Sequence, residues 1–317
     1  MLRCSRTLQR VLLQAATRHT SQLITNSLKP TQFAVCSAYE KAFNKPYQFN
    51  SFKCLSSDHG HHSDDEHEPS EQDKVRMSEV YKILSHPPND LYYDRGERKV
   101  PTELDNPVGR LLARLLGFNS EKSKLGTGGR RLYGAVKEMS DTGEMQKAFN
   151  TGSTFWATYV ILSLHVWMVI WRLRSVNHKD LKHFREWFYL AFQQDVEKRI
   201  YASGVDSRVS KWLRTLEEHF FRTGYELDLV LMGQSDRTMS DVLLDLYYAN
   251  DSTKIDEADM LAAYIDRELE CMKMTEDAVI LSGNVKFSCS FIQALEAADI
   301  PLEFDESAVP ELPKNLQ

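Results

Sequence analysis

The side chain whose placement raises a chemical question first is His165, in the middle of the most apolar run of the chain, residues 155–174, FWATYVILSLHVWMVIWRLR. An imidazole there is either a haem or metal ligand or a buried polar ring that must find hydrogen-bond partners. The run supplies no second ligand, so the expected role is structural, with a ring nitrogen held by a carbonyl, hydroxyl or acid of a facing helix. His178 and His183 are five residues apart and do not share one helical face, and His219 has no companion at ligand spacing; all three are expected at the surface or at caps. His59, His61, His62 and His67 with Asp64 and Asp65 carry metal-ligating atoms, but they lie in residues 56–74, which have almost no apolar side chain. Without a rigid frame those ligands are not preorganised, and the tract is expected to be a solvated linker.

Other constellations fail on spacing. The stretch GTGGRRLYG, residues 126–134, has the glycines of a phosphate loop but neither the preceding strand nor the GK[ST] ending, and is expected to be a flexible connector. The five cysteines, Cys4, Cys36, Cys54, Cys271 and Cys289, form no CxxC pair and suggest neither a disulfide framework nor a zinc site. HExxH, GxSxG, the Walker A loop, the dinucleotide fingerprint and the paired ExxH of di-iron bundles are all missing from the sequence. No catalytic residue, metal site or cofactor is therefore expected.

Binding is the chemistry that remains. Trp156, Trp167 and Trp171 are separated by steps of eleven and four, which brings them near one side of a helix. Core packing is the first use of such a stripe, but Trp and Arg also anchor protein partners, and Arg172 and Arg174 follow directly. The partner-binding expectation falls on Trp156, His165, Trp167, Trp171, Arg172 and Arg174.

The elements that must position these residues are helical. No proline occurs in the 193 residues between Pro107 and Pro301, and no long period-two alternation is present. Phe184, Trp187, Phe188, Ala191, Phe192, Val196 and Ile200 recur at steps of three and four, as do Val209, Trp212, Leu213, Leu216 and Phe220. Asp206-Ser207 is placed to cap the second of these helices, and Gly224 to end or kink it. Asp236 or Ser240 is expected to start the next, carrying Val242, Leu243, Leu246 and Tyr247. Asp251-Ser252 marks a break before a helix with Leu261, Tyr264, Ile265 and Leu269. Further helices are expected over residues 75–84, after Asn106-Pro107 through Phe118, and over residues 287–298. The expected fold is all-α, a single helical domain around a buried apolar central helix.

The ends differ in composition. Residues 1–39 have spaced arginines, many Ser and Thr and no acid, the composition of a mitochondrial transit peptide. Residues 40–106 read as a linker, mostly disordered with a short helix, residues 107–300 as the helical domain, and residues 301–317 as a disordered polar tail. The formal net charge is −6, and setting aside the five cations before Glu40 leaves −11, which argues against nonspecific nucleic-acid binding. The uncharged stretch from Phe155 to Trp171 would span about 25 Å as a helix, the lower edge for crossing a bilayer. Its length, its central histidine and the amphipathic helix after it favour a buried core helix over a membrane span.

The LHVWMVIWRLR core, with the aromatic start Phe155-Trp156, Leu164 to Trp167 and Arg172 to Arg174, resembles the signature of the ubiquinol-cytochrome c reductase (complex III, bc1) assembly chaperone family. The likeness continues more loosely to about Asn250. The resemblance implies a non-catalytic mitochondrial assembly factor on the matrix side of the inner membrane, associated peripherally with it and binding newly synthesised cytochrome b. It also implies a small partner assembly factor and action near the mitochondrial ribosome, with no direct nucleic-acid contact. The competing expectation is a single-span accessory subunit of an inner-membrane respiratory complex.

Overall fold

The computed structural model describes residues 70–93 and 120–287, with the isolated position 298. These fall almost entirely in one compact unit, Ser51–Val100 with Leu125–Gln317; residues 120–124 belong to a second unit, Met1–Asn50 with Pro101–Lys124. The expected transit peptide, the His-rich tract before Ser70, the helix through Phe118 and the tail lie outside the described residues. So does the expected helix over 287–298, apart from Phe287 and Ala298 themselves.

The described residues are all-α. In chain order the helices are α1 (Glu71–Leu84), α2 (Glu121–Asp141), α3 (Glu144–Ala148), α4 (Phe155–Leu173), α5 (Leu181–Ala202), α6 (Val209–Leu231), α7 (Met239–Tyr247), α8 (Ile255–Met274) and α9 (Asp277–Ser282). A single 3-10 turn, Ser252–Lys254, precedes α8, and one antiparallel bridge joins Tyr92 to Val285.

The hub is α4. Thr154 starts it by accepting a hydrogen bond from the Ala157 amide, and no proline or glycine interrupts it. Every position from 159 to 173 is buried. A helix that is apolar on all sides must be covered on all sides, and α3, α5, α6 and α8 supply that cover. It is the one described helix long and apolar enough to cross a membrane, yet 89% of its most apolar stretch is enclosed by protein. A bilayer is not needed to shield it.

The amphipathic helices turn their stripes inward as their periodicity requires: Phe184, Phe188, Phe192, Val196 and Ile200 of α5 are buried, as are Val209, Leu216 and Phe220 of α6. Several boundaries differ from the expected ones. α6 is preceded by Arg208 in a left-handed conformation, φ 57°, with no side-chain cap from Asp206 or Ser207. It also continues past Gly224 to Leu231, because that glycine faces Trp167 rather than ending the helix; a Cβ there would lie 3.2 Å from the indole Cδ1. α7 is capped by Thr238, whose hydroxyl accepts from the Asp241 amide while the Asp241 carboxylate accepts from the Thr238 amide. α9 is not legible in the sequence as a separate helix. α1 is bolted to the domain by Arg76, whose guanidinium donates to the Ala148 carbonyl at 2.6 Å and to Glu257 at 3.0 Å.

The largest departure is the glycine-rich stretch. Instead of a connector it is the middle of α2, with Gly126, Gly128 and Gly129 buried. These glycines let neighbouring chain approach closely: a Cβ at Gly126 would strike the Trp187 ring, one at Gly129 would lie 2.7 Å from the Phe184 carbonyl oxygen, and one at Gly128 would run into the Leu281 carbonyl. Gly283 completes the crossing. Its φ of 70° favours glycine, and a side chain there would meet the Gly128 carbonyl and the Leu132 amide. Gly134, on the opposite side of α2, has open space around it.

These contacts predict opposite effects within one helix. Gly128→Ala is expected to destabilise the protein by about 2 to 3 kcal/mol, because backbone rather than a flexible side chain must yield. Gly134→Ala is expected to stabilise it by about 0.5 to 1 kcal/mol through helix propensity alone. Urea unfolding midpoints of the two variants provide the check.

Candidate functional site

The residues singled out by the central run are fixed by α4, and five of the six turn into the protein. His165 is fully buried. One ring nitrogen, Nδ1, lies 2.7 Å from the Ile161 carbonyl and the other, Nε2, 2.7 Å from the Tyr264 hydroxyl. A carbonyl only accepts, so Nδ1 carries the proton and donates to it, while Nε2 accepts from Tyr264 on α8. Both nitrogens are thereby occupied, leaving no lone pair for a metal or haem. Burial pushes the ring down to about 4, so it is neutral near pH 7.

Trp167 and Trp171 form the base of a second set. The Trp167 indole donates to Asp228 of α6 at 2.9 Å, and Arg174 donates to the other oxygen of that carboxylate at 2.5 Å. The Arg174 guanidinium also lies over the Trp171 ring, 4.4 Å from its centroid. Burial raises the Asp228 carboxyl while Arg174 and Trp167 pull it down.

Arg172 makes a third set at the far end of α8. It donates to the carbonyls of Met272 and Thr275 at 2.7 and 2.9 Å, to Ser175 at 2.9 Å and to the Asp277 carboxylate at 2.6 Å. The terminal carbonyls of a helix have no intrahelical partner and carry its negative dipole end, so a guanidinium there both satisfies and neutralises them. Of Arg172 and Arg174, both expected at a partner contact, the structure shows guanidiniums engaged within the domain. Their side chains are 8% exposed and close the domain from within.

Trp156 behaves differently. It is half-buried at the start of α4, 4.5 Å edge-on from the His219 ring. Beside it Phe155 meets Trp212 of α6 edge-on, and Phe155, Trp212 and Leu213 are also half-buried. Tyr159 anchors the cluster from below, donating to the Leu216 carbonyl at 2.5 Å. Exposed Arg208, just before α6, and Lys211 and Arg214 on it flank Trp212 and Leu213 in the chain. This aromatic rim is the candidate contact surface. Trp212 and Leu213 belong to the periodic stripe of α6, and periodicity alone does not reveal that this end of the stripe remains partly open.

The remaining histidines also have definite places. His178 accepts from the Asp180 amide at 3.1 Å, and His183 accepts from the Trp187 indole at 3.1 Å. His219, expected at the surface or at a cap, is instead buried under Trp156, because it falls on the same helical face as Leu216 and Phe220. Burial, with Arg222 nearby, pushes it down to about 4. Among the described residues no group of three His, Cys, Asp or Glu side chains is placed to hold a metal ion.

Residues 147–287 match the sequence profile of the family described as ubiquinol-cytochrome C chaperone. No curated protein matches the chain. Among solved structures, the crystal structure of the Cbp3 homolog from Brucella abortus is similar, with 17% sequence identity and a TM-score of 0.45 over 57% of this chain and 98% of that one.

Two predictions test these clamps. Arg172→Ala is expected to cost about 2 to 4 kcal/mol, since it strands two helix-terminal carbonyls, and Arg172→Lys to recover only part of that; urea denaturation gives both values. The two buried histidines set an acid limit. Each has a folded value near 4 against an ordinary 6.5, so the unfolded chain takes up protons first as pH falls. Stability should be level above about pH 7 and decline between about 6.5 and 4, by on the order of 3 kcal/mol for each ring. His219→Leu should roughly halve that decline in unfolding midpoints measured across the range.

Proposed function

We propose, from the match of residues 147–287 to the ubiquinol-cytochrome C chaperone family, that this chain is a non-catalytic assembly factor for complex III of the respiratory chain. The observation that carries the reading is the extent of the match. It takes in α4 together with the partners of His165, Trp167, Arg172 and Arg174, namely Tyr264, Asp228, Met272, Thr275 and Asp277.

In this reading the client is newly synthesised cytochrome b, which the protein binds, helps to mature and hands on, together with a small partner assembly factor and near the mitochondrial ribosome. The basic, acid-free composition of residues 1–39 supports a mitochondrial address on the matrix side of the inner membrane, with peripheral attachment. The rim of Phe155, Trp156, Trp212 and Leu213 is the contact surface the geometry favours, since half-exposed Trp and Phe beside arginines have the composition of an interface anchor. A single-span accessory subunit would require α4 to leave the helices that enclose it, at the cost of exposing the paired polar groups of His165, Arg172 and Arg174.

Removing the protein from mitochondria is expected to deplete assembled complex III and cytochrome b; unchanged levels of both would overturn the reading. The double variant Trp156→Ala/Trp212→Ala is expected to fold, to weaken partner capture at least about tenfold, and to fail to restore complex III. Carbonate extraction should release the protein from membranes, whereas retention in the pellet would favour the span.

A further inference from the structure

The outward face of α8 is unlike the other exposed helical surfaces. Its exposed residues are Ile255, Asp256, Asp259, Ala263, Asp266, Glu270, Lys273 and Met274. At about 100° per residue they fall within one stripe roughly 100° wide that runs the length of the helix, about 28 Å. Beyond the first turn of α6 the exposed charges are balanced within reach: Arg214 pairs with Glu218 and Arg222 with Glu226, and Arg237 after that helix bridges Glu226 and Asp245. On the α8 face Lys273 pairs with Glu270 at 2.5 Å and its charge also reaches Asp266, while Asp256 and Asp259 have no ion pair among the described residues.

The helix itself does not explain these acids. Asp256 lies in the first turn, where a carboxylate complements the dipole, but Asp259, Asp266 and Glu270 lie beyond it, where that benefit has ended. Nor do they form a point-charge site, since no three acids among the described residues converge on a metal position. They form a line of negative charge. Apolar groups accompany it: Ile255 is 44% exposed at one end and Met274 58% at the other. Tyr81 of α1 is half-exposed; partial burial, with the carboxylates of Asp256 and Asp259 nearby, raises its hydroxyl.

We propose that this face of α8, with Tyr81 alongside, docks a cationic amphipathic helix of a partner protein. Lysines or arginines of that helix at three- and four-residue spacing would meet Asp256, Asp259, Asp266 and Glu270 in turn. Its apolar side chains would cover Ile255, Tyr81 and Met274, the last a side chain adaptable enough to fit varied contacts. The face is separate from the aromatic rim at the start of α4. The inference deepens the assembly-factor reading by giving a second partner its chemistry, and rests on that reading only for its biological setting.

Binding of the purified full chain to an 18-residue amphipathic Leu/Lys peptide tests the proposal. Wild type should bind at low salt, with affinity falling steeply as salt rises. The variant Asp259→Asn/Asp266→Asn/Glu270→Gln should bind about tenfold more weakly. Glu138→Gln/Glu197→Gln/Glu218→Gln, which makes the same change in net charge elsewhere, should lose less than about twofold. Ile255→Ser/Met274→Ser should also weaken binding, with circular dichroism confirming that all variants stay folded. The proposal is overturned if the two charge variants lose affinity alike, or if a scrambled peptide of the same composition binds as tightly. Because the readout is peptide binding, its failure leaves the complex III experiment unaffected.

Discussion

Positions 159 to 173 are buried without a break, and the rest of the described domain answers to that constraint. A helix with no solvent face needs neighbours all round, and each polar atom it takes inside needs a partner, because an unpaired buried donor or acceptor costs about 1 to 3 kcal/mol. The chain meets both requirements with the same helices. α6 supplies Asp228 to Trp167 and Arg174, while α8 supplies Tyr264 to His165 and its terminal carbonyls to Arg172. Polar residues that look like departures from a hydrophobic core are therefore what fixes the rotation and register of α4 against α6 and α8.

Close packing imposes a second condition, met by absence rather than by side chains. Gly126, Gly128 and Gly129 of α2 press against α5 and the end of α9, and Gly283 supplies both the left-handed turn and the space for that crossing. Glycines weaken a helix in isolation, by about 1 kcal/mol each against alanine. Here the dispersion attraction between backbones packed directly against one another offsets that loss.

Taken together, these conditions separate the interior from the surfaces available for binding. The arginines and tryptophans most suggestive of recognition hold the hub closed. The edges the hub leaves open are the aromatic rim where α4 begins and the acidic outer face of α8. For a chain whose residues 147–287 match an assembly-chaperone family that division is physically reasonable, since a rigid core keeps partly apolar surfaces in place without letting them collapse onto it.

Residue patterning by itself determined the all-α class, the identity of the central helix and the inward stripes of α5 and α6, because periodicity and uninterrupted apolar length are local properties. It also determined that His165 must have a hydrogen-bond partner, and the LHVW and RLR residues carried the resemblance to a family. What it left open depended on which distant residues meet. Tyr264 is 99 residues from His165, and Asp277 is 105 from Arg172; no local pattern encodes those pairings. The glycine-rich segment looked like a connector for the same reason, since a buried glycine and a loop glycine are identical until the neighbouring backbone is in place. The tertiary structure alone decided that Trp167, Trp171, Arg172 and Arg174 face inward while Trp156 stays half-open. Exposure is set by where the covering helices end, and that is a property of the assembled domain.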